Sequence, residues 1–169
     1  PILKIYEETF SEEGFVELCK RQTPSMPLTI YLTHKAQQLY ILEDYQEAYA
    51  KLIAMESFDL IKTTTVEITH AFYTLLISLA MYEINQDKSL KNNVLEKKEQ
   101  LKNWAENCPE NFLHKYQLIE AELARIDQKE WHIVLDLYEQ AIENAKQNDF
   151  RQEAALANER CGKYLESIH

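Results

Sequence analysis

Apolar side chains recur at intervals of three and four residues along most of the chain. Phe112, Tyr116, Ile119, Leu123 and Ile126 fall on one side of a helix with 3.6 residues per turn. Trp131, Val134, Leu135, Tyr138, Ala141, Ile142 and Ala145 do the same. Ile68, Ala71, Phe72, Leu75, Leu76, Leu79 and Tyr82 cover their helix nearly all round. Such a helix is packed on more than one side, so this one is predicted to form the centre of the core.

Residues able to bond the free N–H groups of a first helical turn divide the chain into about eight helices. Ser11 is predicted to cap a first helix to about Arg21. A loop from Gln22 to Met26 follows, and Pro27 opens a second helix to about Leu42. Asp44 with Glu47 caps a third to about Ile61, and Thr64 with Glu67 a fourth to about Asn85. The polar stretch Gln86 to Asn93 precedes or begins a charged fifth helix ending near Asn107, and Pro109 opens the sixth. Asp127 with Glu130 is predicted to cap a seventh helix to about Gln147, and Asp149 with Gln152 an eighth that reaches the end. Short links imply that consecutive helices lie antiparallel.

Paired starts near Pro27, Thr64, Pro109 and Asp149 are about 37, 45 and 40 residues apart, against roughly 34 for a regular tetratricopeptide repeat. Asp44-Tyr45-Gln46-Glu47-Ala48-Tyr49 resembles the acid-aromatic-x-x-Ala entry to the second helix of such repeats, and Glu130-Trp131 with Tyr138-Glu139-Gln140-Ala141-Ile142 echoes it. The fold expected is all-α: a tetratricopeptide-like stack of antiparallel helix pairs, an α-solenoid over residues 1–169. Ala48, Ala121, Ala124, Ala141 and Ala145 allow helix axes to approach to about 8–10 Å.

Composition removes the main alternatives. With 2 Gly and 4 Pro in 169 residues, 46% hydrophobic and 27% charged, the chain lacks the turn residues of a many-stranded protein and the polarity of a disordered one. A net charge of −10 repels phosphate backbones and anionic lipid, which excludes nucleic acid as the expected partner. The longest apolar run, Ala71 to Tyr82, is about twelve residues where a bilayer span needs about twenty. Cys19, Cys108 and Cys161 are odd in number and have no CxxC spacing, which suits a reducing cytoplasm. The opening at Pro1 shows no basic-then-apolar signal pattern and the last residues read as helical, so a piece of a longer protein is expected.

Candidate chemistry is sparse. His34, His70, His114, His132 and His169 include no HExxH, and no two lie three or four apart. His70 reads as a core histidine bonded to a backbone carbonyl. His114 closes a helix start or meets a partner helix. Glu120 and Glu122, two apart, cannot share a helix face as an acid and base pair, so they are predicted to bond neighbouring helices. Cys108, before Pro109, reads as a cap in a turn, although a helix N-terminus also favours a thiolate. Gly14 and Gly162 are too few for a phosphate loop. No catalytic residue, cofactor or metal ligand is assigned, and the residues that contact a partner are left unknown.

The stretch Trp104-Ala105-Glu106-Asn107-Cys108-Pro109-Glu110-Asn111-Phe112-Leu113-His114-Lys115-Tyr116, followed by Glu120-Ala121-Glu122-Leu123-Ala124-Arg125, resembles a segment of very large bacterial signalling proteins. These hybrids join a serine/threonine-kinase-like module, an AAA-type ATPase module and a helical repeat region to GAF or PAS sensors and a histidine kinase. The likeness continues through Leu137 to Ala145 and Gln152 to Glu159, with Phe72-Tyr73 and Asp44-Tyr45. It implies a non-catalytic helical linker, a scaffold or signal relay between attached ATPase or kinase modules, or one that docks a protein in its groove. Asp127-Gln128-Lys129-Glu130 departs from the pattern, which has a Gly-containing turn there. The alternative expected is a ligand-sensing superhelix of an ATPase-type transcription activator.

Overall fold

Ser11 and Asp44 cap their helices as the spacing predicts, in a computed structural model that describes residues 11–21, 24–55 and 58–168. Ser11 Oγ accepts from the N–H of Gly14 at 3.0 Å and starts α1 (Glu12–Lys20). Asp44 accepts from the N–H of Glu47 at 3.3 Å and starts α3 (Tyr45–Ile53). Between them α2 (Met26–Ile41) begins at Ser25, whose hydroxyl accepts from the N–H of Leu28; Pro27 therefore lies one place inside the helix start and does not open it. Gln22, in the predicted loop, and His169 lie outside the described residues.

Four further expectations are corrected. The third helix stops at Ile53 instead of continuing to Ile61, and a 3₁₀ turn, Phe58–Ile61, follows. This break lets Ile61, which is fully buried, turn inward among the helices; a continuous helix would carry it away at about 1.5 Å per residue. Thr64 precedes α4 (Thr65–Asn85), but its hydroxyl donates to the Ile61 carbonyl at 2.5 Å, while Glu67 accepts from the N–H of Thr63 at 2.7 Å. Asp127 ends α6 (Pro109–Ile126) instead of capping α7 (Trp131–Gln147), which starts after Glu130. Asp149 likewise stands in the turn before α8 (Arg151–Ile168), not at its cap. The polar stretch from Gln86 does begin α5 (Lys88–Asn107), capped by Asp87 on the N–H of Ser89 at 2.9 Å.

Eight α-helices and no strand are found among the described residues, matching the expected stack. Each of α3, α5 and α7 packs against the even helix on either side of it in sequence, and the 3₁₀ turn packs on α2 and α4. The even helices also pack on one another, α2 on α4, α4 on α6 and α6 on α8. They form an inner row with the odd helices outside it. The helix α4 sits in this row with both faces covered: Phe72, Tyr73 and the run Leu75 to Met81 are buried, as its all-round apolar pattern predicts. Ala48, Ala121, Ala124, Ala141 and Ala145 are all buried, and a larger side chain there would force axes apart. Cys19, Leu28 and Leu32 form a separate small cluster under α1.

Candidate functional site

The C-terminal halves of α4, α6 and α8 converge on one carboxylate. Glu122 stands in α6 between Ala121 and Leu123, and its side chain is 2% exposed. Burial alone would hold a carboxyl group neutral. Its partners reverse that. Oε1 accepts from Arg160 Nε and from the Tyr138 hydroxyl, both at 2.8 Å. Oε2 accepts from Arg160 Nη2 at 2.9 Å and from Arg125 Nη2 at 2.8 Å. Desolvation opposes ionisation, yet the two guanidinium groups outweigh it and bring Glu122 down to about 2. Tyr138 is pushed in the other direction by its burial and by the same carboxylate.

Arg125 extends the network to α4 by a two-pronged pair with Glu83, 2.6 Å on each arm. Arg160 Nη1 donates to the Tyr45 hydroxyl of α3 at 3.2 Å. One turn further along α8, Lys163 pairs with Glu43 in the α2–α3 turn and with Glu159 at 2.5 Å. Side chains of α3, α4, α6, α7 and α8 therefore meet in one set of hydrogen bonds. The chain's own groups fill the inner face at this end. Every acceptor position on Glu122 is taken and its proton is absent at neutral pH, so the arrangement clamps helices and cannot act as a general acid.

The sequence places two carboxylates here on different faces, and the structure agrees: Glu120 pairs with Lys98 of α5 and Glu122 with α7 and α8. Arg160, Arg125 and Glu83 were not singled out by the sequence. The available signal was Glu122 itself, a charge embedded in the apolar stretch Leu118 to Ala124, which requires a cation from elsewhere.

A second buried cluster lies at the opposite end of α6. His114 and Lys115 are buried; the His114 ring stacks on Phe150 at 4.3 Å. Lys115 Nζ donates to His114 Nε2 at 2.9 Å, pairs with Glu153 of α8 at 2.8 Å and lies over the Phe150 ring at 4.4 Å. His114 thus neither closes the helix start nor faces a partner; it packs inside, between α6 and the start of α8. Burial and then the Lys115 charge bring His114 down to about 4. Its Nδ1 is buried without a hydrogen-bond partner.

His70 is half-buried at a cleft that the early end of α3 opens between α3, α4 and α5. Its Nε2 lies 3.4 Å from Thr74 Oγ1, and Tyr49, Ser78, Asn93 and Lys97 line the same cleft. Burial, then Lys97, lowers His70 to about 4. His34 is exposed beside Gln37, and His132 is exposed beside Glu130. Cys108 sits in the turn as expected, with Sγ donating to Glu110 at 3.2 Å. Among the described residues no three His, Cys, Asp or Glu side chains gather where a metal ion could be held. Nor is any described helix long and apolar enough to cross a membrane.

A family model described as CHK1-like TPR repeats matches residues 20–169. No curated protein and no solved structure matches the chain.

Proposed function

We propose, from the premise that this chain belongs to the family of CHK1-like TPR repeats, that it relays signals within a multidomain sensor kinase. TPR repeats are scaffolds for contacts between proteins. The finer reading places this stack between an ATPase or kinase-like module and a sensor and histidine-kinase end, in the cytoplasm, with no chemistry of its own. The observation that carries it is the Glu122 network. A clamp that joins five helices makes a displacement of one helix felt by the others, and coupling of this kind needs a shared element whose arrangement both ends can bias. The resemblance that begins at Trp104, near the end of α5, continues along α6 to Arg125, the helix that carries Glu122. The three free cysteines suit a reducing compartment.

A ligand-sensing superhelix in an ATPase-type activator is the second reading. The polar-floored cleft over His70 and Thr74 favours it.

The test of the relay is excision of residues 1–169 from the intact parent protein. Kinase activity of the separated catalytic module should persist while its response to the input is lost. A response that survives excision at full amplitude would remove the relay reading and leave the scaffold.

A further inference from the structure

Helix α4 is apolar nearly all round, yet His70, Thr74 and Ser78 recur on it at steps of four and form a polar stripe along one side. This stripe floors the cleft between α3, α4 and α5, which has two adjoining lobes of about 210 and 260 Å³ that share His70, Thr74, Leu75 and Lys97. Leu52, Leu90 and Val94 wall the first lobe, and Asn93 and Lys97 stand at its exposed edge on α5. Among the described residues no carboxylate lines either lobe, although the chain carries a net charge of −10.

Hydroxyls inside a helix commonly bond the carbonyl four residues back. Thr29, Thr33 and Thr69 do so here, on Ser25, Thr29 and Thr65. Ser78 does not: it is 7% exposed, and its hydroxyl has no hydrogen bond among the described residues. A buried hydroxyl normally has a partner, and the cleft that Ser78 lines is the space able to supply one. Tyr49, Asn93 and Lys97 line the same lobe and also make no hydrogen bond or ion pair among the described residues. Four polar side chains from three helices thus keep their bonding capacity around one small space.

We propose that this cleft binds a small monocarboxylic acid with an apolar body and a hydroxyl at its far end. The carboxylate lies on Lys97 and Thr74, the body against Leu52, Leu90 and Val94, and the hydroxyl at Ser78 and Asn93. The inference deepens the ligand-sensing reading of this cleft and rests on it for the purpose of the binding. Burial and Lys97 keep the His70 ring uncharged at neutral pH, so Lys97 is the single full charge of the lining and matches one negative charge. Apolar walls with a few placed polar groups are the usual build of a small-molecule site. Lobes of this size fall at the low end of the about 300–1,000 Å³ such sites span, which suits a single-ring acid.

Para-hydroxybenzoate, benzoate and para-hydroxybenzamide serve as probes, followed by the backbone amide shifts of the whole chain in heteronuclear NMR. The hydroxy acid should give saturable shifts confined to α3, α4 and α5 around the cleft. Ser78→Ala should weaken it about five- to ten-fold, the size of one buried hydrogen bond, down to the affinity of benzoate, and leave benzoate itself unchanged. Lys97→Gln should weaken both acids about three- to five-fold, the size of one partly exposed ion pair, and leave the amide unchanged. Neither variant should lower the melting curve, which separates binding from folding. No saturable shift with any probe, equal binding of the amide and the acid, or an equal loss of both acids in Ser78→Ala would overturn the inference. The output of the intact parent protein is a separate readout. Binding that leaves this output unchanged would remove the ligand-sensing reading and keep the site, while absence of binding would remove the site alone.

Discussion

Four of the helix hairpins turn on a left-handed residue other than glycine, Gln86 after α4 among them with φ of 58°. Glu43, Gln128 and Asp149 have φ of 63°, 54° and 62°, and each closes the end of the preceding helix with the same pair of bonds. For Gln128 these are Gln128 N–H to Arg125 O at 3.0 Å and Lys129 N–H to Ala124 O at 3.0 Å. This is the left-handed helix stop that glycine normally supplies. Gln128 thus makes, with a Cβ present, a turn that glycine would make without strain. A left-handed residue with a Cβ is strained. Gln128→Gly is expected to raise stability by about 0.5–1 kcal/mol, after allowance for the looser unfolded chain. Urea denaturation at constant slope would measure it, and a decrease would contradict the strain. Glu43 is the less informative site, because its carboxylate also holds Lys163.

At the scale of helices, the Glu122 network binds by charge what the alanines bind by close approach. Arg160→Met keeps an aliphatic stem but leaves the buried carboxylate with Arg125 as its one remaining cation beside the Tyr138 hydroxyl. Breaking one partner of a buried pair costs about 3–5 kcal/mol, while replacing the whole set by apolar groups is often neutral. Equilibrium unfolding of Arg160→Met should show a loss of that size, and Arg160→Met combined with Glu122→Leu should recover much of it. The helices themselves were legible because their apolar period persists over many turns, as in α4, α6 and α7. Their ends were less so. Asp127 and Asp149 stand three residues before Glu130 and Gln152, which mimics a cap; without glycine in the turns, nothing in the sequence marked the stop before them. The early end of α3 was hidden for a different reason, since it serves Ile61, whose burial depends on α2 and α4. The clamp was half visible: Glu122 could be predicted to bond other helices, but which cations reach it depends on where α4 and α8 lie.

At the scale of the molecule, these buried groups set the response to acid. His70 and His114 titrate at about 4 in the folded chain against an ordinary 6.5, so the unfolded chain binds more protons between those values. Stability therefore falls as pH drops from about 6.5 and this part of the loss is complete just below about 4. Glu122, lowered to about 2 from 4.5, adds a second loss between those two values. Each proton corresponds to a slope of about 1.4 kcal/mol per pH unit. Denaturation midpoints between pH 6.5 and 4 should decline steeply, and His114→Gln should flatten that decline while leaving the lower phase in place. An unchanged slope would show that the ring is not held neutral.

The pairing of Lys163 with Glu43 and of Arg160 with Tyr45 joins the last inner helix to the turn after the first. In an open solenoid each unit touches only its neighbours, and such a stack stretches and peels from its ends like a soft spring. Here α8 is tied across to the α2–α3 hairpin. Tension on the chain would load these ties together with the central clamp, so this stack should resist extension and then give way as a unit, behaving as a rigid strut until it breaks.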